Sequence, residues 1–330
     1  MKKWNYTLGI DVSKNTLDIH CSEINQHIQI QNGSEGFKHW LKWCKDHKIA
    51  LEQSFIVMEH TGGYEYKLIQ FCESKNLQYA RIPGLAIKRS MGITRGKNDK
   101  VDAARIAQYG EEKHKILEPA KPLNKTTIAL KELLGFRKRI VRELAGYKTT
   151  LKERKQMYPD LKSDVICKML ENRIKENTKL IAKLDTELMA ITEANEAIKI
   201  NFELLTSIRG IGMVNALMTI AYTENFVCFN NPRSYAVYVG VVPFDYSSGT
   251  SIRGRKKVSP IANKELKQEL TQAARSAVQW DPELREYATR KMNNKCYNIV
   301  LNNVKFKLIL RMFAVVKRKE KYVDNYTKAA

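Results

Sequence analysis

The sequence lacks an apolar run of the length that a membrane-spanning helix needs, about 20 consecutive residues. Its first residues, Met1 to Tyr6, lead directly into a strand pattern, so we expect no signal peptide. The six cysteines are scattered, and no two of them form a CxxC pair or accompany a histidine cluster. That spacing does not predict a zinc site and is typical of reduced thiols. We therefore expect a cytoplasmic protein that does not bind a membrane.

Acidic residues are also scarce relative to basic ones. The 330 residues include 57 Lys and Arg but only 35 Asp and Glu, which gives a net charge of +22 at neutral pH. Such an excess favours a polyanionic partner, because each neutralised phosphate releases a counterion and adds affinity. The alternative is a basic surface that is merely solvated. Charge alone does not distinguish DNA from RNA, and the length suits two domains with a connector.

Strand and helix patterns alternate over residues 1–120. Helical spacing begins at about Ser34 and returns between Tyr64 and Cys72. Short apolar or alternating runs predict strands at Tyr6 to Val12, Thr16 to Cys21, Gln26 to Gln31, Ser54 to Met58 and Leu77 to Ile82. This order predicts an α/β layer with a mixed sheet, in which functional sites collect at the carboxyl ends of strands.

Residues 121–200 are predicted to form a helical connector. Apolar residues follow a regular alternation of four and three, with the polar Asn177 among them: Leu170, Ile174, Ile181, Leu184, Leu188 and Ile191. This is the heptad pattern of a coiled coil. One interpretation is an arm that joins two copies of the chain, and the other is an antiparallel hairpin within one copy. The sequence does not separate them.

Four carboxylates occupy positions that suit a metal-dependent nuclease. Asp11 and Glu59 come at the ends of two predicted strands, and Asp99 and Asp102 begin a predicted helix, where Asp99 is expected to be the cap. Hard divalent cations need several oxygen ligands. Singly, each residue has a simpler interpretation: a helix cap, a turn residue or an ion-pair partner. Together, in this order, they are typical of an RNase-H-like core.

Residues 201–330 are predicted to be mostly helical, with a last helix from Val304 to Tyr322. The segment from Leu205 to Leu217 is typical of a helix-hairpin-helix motif, because Gly210 and Gly212 give a tight turn whose N–H groups can bind phosphate. Arg209 lies beside them and is expected to bind nucleic acid with them. The simpler interpretation is an ordinary turn between two helices.

A serine-containing segment follows, within a stretch, 240–263, that we expect to be loop. Ser247 and Ser248 precede four basic residues: Arg253, Arg255, Lys256 and Lys257. A serine that attacks phosphate needs exposure and nearby positive charge, which this segment supplies. The composition alone equally suits a polar turn whose basic residues position phosphates.

At this point the chain resembles a known family, the DEDD transposases of the IS110 class, which are bridge-RNA-guided recombinases of bacterial insertion sequences. The resemblance runs nearly end to end. In the first half it rests on three motifs: Gly9 to Lys14, Met58 to Tyr64 and Lys97 to Ala103. In the second half it rests on Ile208 to Gly212, Phe229, Tyr235 to Gly240, Pro243, Ser248 with Gly249, Asn263 to Leu266 and Ala273 with Ala274.

The resemblance implies three domains: a RuvC-like domain over 1–120, a coiled-coil connector over 121–200 and a transposase domain over 201–330. It implies that Asp11, Glu59, Asp99 and Asp102 bind Mg²⁺ and that Ser248 is the nucleophile, with Ser247 as the alternative. It further implies DNA substrates, a structured non-coding RNA, dimers or tetramers, and a cytoplasmic, nucleoid-associated location. One departure is Ser259 to Asn263, which lacks basic residues common in the family.

Two other functions are compatible with the residues. A junction resolvase, in which metal-activated water attacks the phosphate, would explain the carboxylates and leave Ser248 without a catalytic role. A non-catalytic nucleic-acid-binding protein would explain the charge and the heptads but would make the carboxylate positions coincidental.

Overall fold

The protein is described by a computed structural model that covers residues 4–92, 98–159, 164–229, 231–248 and 252–324, with the backbone alone at 246–248 and 252–253. The chain divides into two compact units, Met1–Pro122 and Leu123–Ala330. In this described part, no helix combines the length and the apolar character that a membrane span requires.

The first unit is built on a five-stranded mixed sheet in the order β3-β2-β1-β4-β5. Strands β1 to β3 are antiparallel neighbours, whereas β1, β4 and β5 run parallel. The strands are β1 Tyr6–Val12, β2 Thr16–Cys21, β3 Gln26–Gln31, β4 Ser54–Glu59 and β5 Gln78–Ile82. The helices are α1 Ser34–Asp46, α2 Tyr66–Ser74, α3 Gly84–Ser90 and α4 Asp99–Glu112. The predicted mixed sheet with interspersed helices is therefore confirmed.

Helix α4 lies unusually close to the central strand because the residues between them are small. A Cβ atom added at Gly9 of β1 would lie 2.1 Å from the Ala107 nitrogen and 2.4 Å from the Ala103 oxygen of α4. One added at Gly110 would lie 2.6 Å from Val57 Cγ2 and 2.9 Å from Thr7 Cγ2. Ala103 and Ala107 thus lie over Gly9, and Gly110 lies nearer the start of β1. Helix α4 therefore runs against β1 and directs its N-terminus towards Asp11.

The second unit is mostly helical. Its helices are α5 Lys125–Met157, α6 Val165–Glu193, α7 Glu196–Thr206, α8 Met213–Thr223, α9 Pro232–Val239, α10 Lys264–Trp280, α11 Pro282–Met292 and α12 Tyr297–Arg318. A single apolar cluster joins α5 through Leu130, α8 through Leu217, α10 through Ala274 and α12 through Leu308, all fully buried. This core supports the turns and strands that lie between the helices.

Helices α5 and α6 pack on each other within one chain. Ion pairs join Arg137 to Asp185 and Lys155 to Glu171, so α6 runs back along α5. The heptad positions Leu184 and Leu188 are buried, and the earlier ones are half-buried. The heptad residues of α6 therefore pack on α5 of the same chain. A coiled coil between two copies stays a prediction.

Three local predictions were wrong. Asn98, rather than Asp99, caps α4, because its side chain accepts a hydrogen bond from the Lys100 N–H at 3.0 Å. The stretch 240–263 contains a two-stranded antiparallel hairpin, β6 Pro243–Ser248 and β7 Ile252–Val258, where loop was expected. The last helix spans Tyr297–Arg318 and ends where Lys319 adopts a left-handed conformation, so it starts and ends earlier than predicted.

We predict that Gly9→Ala destabilises the first unit by about 1–3 kcal/mol, because the added methyl overlaps backbone atoms of α4 that cannot move independently. Urea unfolding of the full chain would measure the loss. Gly33→Ala is the matched control, since its added Cβ meets nothing within 4 Å and its backbone is extended. Equal stability of the two variants would contradict the close contact between α4 and β1.

Candidate functional site

Two of the predicted carboxylates come together because their strands are parallel neighbours. Strands β1 and β4 pair in a register that places Ile10 beside Met58, so Asp11 and Glu59 are the next pair of positions. Side chains alternate along a strand, so Asp11 shares a face with Gly9 and Glu59 shares a face with Val57. Both faces are the one that α4 covers. Strand pairing alone thus places two carboxylates side by side at the carboxyl edge of the sheet.

The Glu59 side chain lies directly against Gly84, where a larger residue would overlap with it. A Cβ atom added at Gly84, the first residue of α3, would lie 2.1 Å from Glu59 Oε1. The His60 N–H donates to the Ile82 oxygen at 2.9 Å and so continues the pairing of β4 with β5 by one residue. The glycine therefore leaves room for the carboxylate at the end of β4.

Helix α4, which packs on the face of the sheet that carries Asp11 and Glu59, adds two further carboxylates. Asp99 and Asp102 lie in its first turn, which points to the Asp11 end of β1. Carboxylates are favourable at a helix N-terminus because the free N–H groups carry partial positive charge. Asp102 also accepts a hydrogen bond from Arg105 at 2.9 Å. The predicted four residues therefore converge on one end of the sheet.

Asp11 is the electrostatic centre of this group. Burial, and after it the negative charges of Asp99, Asp102, Glu59 and Asp18 in that order, together raise its pKa to about 6. A carboxyl group with that pKa is partly protonated near neutral pH. A cation bound beside Asp11 would therefore favour its ionised form.

Asp18 is a fifth carboxylate that the sequence analysis missed. It is the antiparallel partner of Asp11 across β1 and β2, and it is buried. Its oxygens accept hydrogen bonds from His27 Nε2 at 2.8 Å and Gln29 Nε2 at 3.0 Å. The signal was the alternation of Thr16, Asp18 and His20 on one face of β2. Because its oxygens are held by β3, Asp18 acts on the charge of Asp11 rather than as a free ligand.

The loop after Glu59 is held by a buried glutamate. Glu65 accepts hydrogen bonds from His60 Nδ1 at 2.5 Å, Thr61 Oγ1 at 2.7 Å, the Gly63 N–H at 2.8 Å and Arg81 Nη2 at 3.0 Å. Burial by itself would raise the pKa of Glu65, but these donors outweigh burial and hold it well below its usual range. The ionised Glu65 therefore fixes the loop that begins at the candidate ligand.

A second contact ties the two strand ends to each other. The buried Asn32 side chain donates to the Ser13 oxygen at 3.0 Å and to the Tyr64 oxygen at 2.9 Å. Ser13 follows Asp11 by two residues, and Tyr64 ends the loop after Glu59. One amide group thus links the segments that carry both carboxylates.

The residues at this edge suit a divalent cation in their chemistry. They offer hard oxygen donors and an unbalanced negative charge, which is what Mg²⁺ or a similar ion would neutralise. Among the described residues, however, no three His, Cys, Asp or Glu side chains lie close enough together to hold a metal ion. The structure therefore defines no coordination geometry.

The candidate nucleophile lies on the hairpin of the second unit. Ser248 ends β6 and pairs with Ile252 of β7. Its side chain, and those of Ser247 and Arg253, lie outside the part of the structure that is described. Arg255, Lys256 and Lys257 are exposed on β7, and Lys256 forms an exposed ion pair with Asp245 at 2.7 Å. Exposed pairs of this kind contribute little to stability, so these cations are available to phosphate.

The turn between α7 and α8 carries the other predicted nucleic-acid contacts. Gly210 has a positive φ of 91° and lies against α10, where an added Cβ would be 2.7 Å from Ala277 Cβ. Gly212 caps α8 with an extended backbone and open space around it. Arg209 pairs with Asp324 at 2.6 Å. Gly210 thus has a packing role, and the N–H groups after Gly212 are the part of the turn that suits phosphate.

Comparison with known proteins identifies the chain. A DEDD transposase model of the IS110 type, described as a transposase, matches residues 8–156, and the model described as transposase IS116/IS110/IS902 family matches residues 202–289. The chain belongs to this transposase family. Two relatives, the pilin gene-inverting proteins of Moraxella lacunata and Moraxella bovis, are each 26% identical over 270 residues, which is 80% of this chain and 80% of theirs.

As a member of the IS116/IS110/IS902 family, the chain is a DNA transposase. The first family match includes Asp11, Glu59, Asp99 and Asp102, and the second includes the turn at Gly210 and the hairpin with Ser248. The matched regions thus contain every candidate catalytic, metal-binding and nucleic-acid-binding residue that the sequence analysis selected. The transposase has its carboxylate group in the first unit and its serine hairpin in the second.

We predict that Asp11→Asn changes how stability depends on pH. Because the pKa of Asp11 is raised to about 6, the proton it binds stabilises the folded state at low pH, and this contribution is lost as pH rises through 6. Without divalent cations, Asp11→Asn should gain about 1 kcal/mol relative to the parent chain between pH 5 and pH 8, a figure reduced for solvent screening.

Urea unfolding at the two pH values, in buffer containing a chelator, would measure this gain. Asp46→Asn is the control, because Asp46 is exposed at the end of α1. A pH dependence that is the same in Asp11→Asn and in the parent chain would show that burial and the surrounding carboxylates do not raise the pKa of Asp11.

Proposed function

We propose that this transposase cuts and rejoins DNA with Ser248 as the nucleophile, assisted by a divalent cation, Mg²⁺, at Asp11, Glu59, Asp99 and Asp102. The observation that carries the proposal is the gathering of carboxylates at one edge of the sheet, where burial and then the charges of Asp99, Asp102, Glu59 and Asp18 raise the pKa of Asp11. A fold rarely concentrates like charges without a ligand, because the repulsion costs stability. The family match supplies the substrate, DNA.

The serine step exchanges one phosphoester bond for another. The Ser248 Oγ would attack a DNA phosphorus, form a phosphoserine ester and release the hydroxyl of the leaving strand, which takes up the proton that the serine gives up. Attack by a hydroxyl of the second DNA strand on that ester would then restore the serine. Because the ester keeps the bond energy, rejoining needs no external energy source.

The residues around the two sites have separate roles in this scheme. A bound divalent cation supplies charge to stabilise the developing negative charge on phosphate and to orient the strand. Glu65 and Asn32 hold the segments that carry Glu59 and Asp11. Arg255, Lys256 and Lys257 would neutralise phosphates near the hairpin, together with Arg253 of the same strand.

We also propose an RNA partner and assembly of two or more copies. The net charge of +22 exceeds what one short DNA contact would neutralise, and it suits a structured RNA bound together with DNA. Exposed apolar residues at the junction of α5 and α6 offer a surface for a second copy: Met157, Tyr158, Val165, Ile166 and Met169. The domain divisions 1–120, 121–200 and 201–330 and a helix-hairpin-helix at Gly210 are part of the same proposal.

A metal-dependent nuclease in which water replaces the serine is the second candidate. It is favoured by one observation, namely that all the carboxylates and their supporting residues lie within Met1–Pro122 and include no residue of the hairpin. In that case Ser248 and its basic neighbours would only position the DNA.

A covalent-trapping assay separates the two candidates. The protein, Mg²⁺, RNA transcribed from the non-coding sequence beside the element and labelled element-end DNA would be mixed and run under denaturing conditions. We expect a protein–DNA adduct that disappears in Ser248→Ala and persists in Ser247→Ala. Loss in Ser247→Ala alone would move the nucleophile by one residue. Cleaved DNA without any adduct would favour the water mechanism.

We predict that Asp11→Ala and Glu59→Ala each lower strand transfer by at least about 100-fold while leaving RNA binding within about twofold of the parent chain. Transfer would be measured with purified protein, and RNA binding by filter retention. Asp46→Ala serves as the control for removing an acidic residue from the same unit. Strand transfer at the parental rate in either variant would refute the metal-ligand assignment.

A further inference from the structure

The hairpin of the second unit borders a cleft of about 800 Å³, which we call the hairpin cleft. It is lined by β6 and β7, by the last turn of α9 at Val237 and by the segment 259–261. This volume lies in the range of sites that take small organic ligands or single nucleotides. Its described lining includes none of the residues assigned above to metal binding.

The floor of the hairpin cleft is apolar and includes an exposed aromatic ring. Phe244 of β6 is 45% exposed and Ile261 is 49% exposed. Val237, Val258 and Pro260 complete the apolar lining. Phe244 and Ile261 thus leave apolar surface open to solvent beside the basic residues of β7, and such a patch is a candidate binding surface.

The rim of the hairpin cleft is positively charged. Arg255 and Lys257 of β7 both line the cleft, and the pairing of β6 with β7 is irregular over this segment. Both are exposed. The one acidic residue among the described lining is Asp245, and Lys256 already neutralises it at 2.7 Å. The cleft therefore combines an apolar, aromatic floor with two cations at its edge.

We propose that the hairpin cleft binds a nucleobase that has left the stack of the DNA strand, with the adjoining phosphate on Arg255 and Lys257. A base offers two apolar faces for Phe244 and the aliphatic floor, while its backbone carries negative charge at a short distance. An apolar peptide would fill the floor but leave the two cations unmatched. Free phosphate would satisfy the cations but leave the floor open to water. A nucleotide satisfies both.

The position of the cleft fits a strand under attack. Phe244 precedes Ser248 by four residues on the same strand, a distance of about 13 Å along an extended backbone. A base held at Phe244 would therefore fix the register of the strand close to the proposed nucleophile. The link to Ser248 rests on the proposed function, whereas binding of a base at Phe244 does not require that Ser248 react.

A photo-crosslinking experiment tests the proposal. The full-length protein would be irradiated with a 12-nucleotide single-stranded oligothymidine that carries one 5-iodouracil, and the crosslinked peptide would be identified by mass spectrometry. We expect the crosslink at Phe244. Anisotropy titrations with the same labelled oligonucleotide should show about tenfold weaker binding for Phe244→Leu and near-parental binding for Phe244→Trp, because stacking on an aromatic face is restored.

Two controls keep the test specific. Trp280→Leu removes an aromatic residue that is 64% exposed outside the cleft, and it should bind within about twofold of the parent chain. Ser248→Ala should crosslink as well as the parent chain, so a failed serine assignment does not count against the cleft. Crosslinking elsewhere, or equal affinity of Phe244→Leu and the parent chain, would overturn the proposal. Protection of Phe244 by a second copy of the chain, with no crosslink, would overturn it as well.

Discussion

The contact between α4 and β1 is the constraint on which the candidate metal site depends. Gly9 has no side chain, so the backbone of α4 at Ala103 and Ala107 comes as near to the sheet as covalent geometry permits. That approach brings the first turn of α4 over the end of β1. There the charges of Asp99 and Asp102 add to the effect of burial and raise the pKa of Asp11. A larger residue at Gly9 would separate Asp11 from Asp99 and Asp102, which lie more than 85 positions later in the sequence. The grouping of the carboxylates at the edge of the sheet therefore depends on how α4 packs against the middle of β1.

The sequence predicted the parts of this site that follow from local periodicity. Apolar runs in β1 and β4 located Asp11 and Glu59 at strand ends, and helical spacing placed Asp99 and Asp102 in one turn. Asp18, Asn32 and Glu65 escaped notice because their roles depend on partners that only the folded sheet brings near. The alternation in β2 places Asp18 on one face of its strand, but only the pairing of β1 with β2 shows that it lies beside Asp11.

The hairpin was missed for a different reason. Residues 243–258 are rich in Ser, Gly, Lys and Arg, which are weak strand formers, and the alternation of apolar residues that marks a half-buried strand is absent. The two strands form because they pair with each other at the edge of a helical unit. Glu265, at the start of α10, is held within the unit, because it accepts a hydrogen bond from Tyr222 at 3.0 Å and pairs with Lys138 at 3.1 Å.

The Asn32 amide has a consequence for how this site can evolve. Its two hydrogen bonds end on backbone oxygens, so the identities of Ser13 and Tyr64 are free to change while the link persists. Replacement of Asn32 itself would release both segments at once, because the Ser13 and Tyr64 carbonyl groups would lose the same donor. Sequence change should therefore be tolerated on either side of the link and disfavoured at Asn32, a residue that need not itself be a ligand of the proposed metal ion.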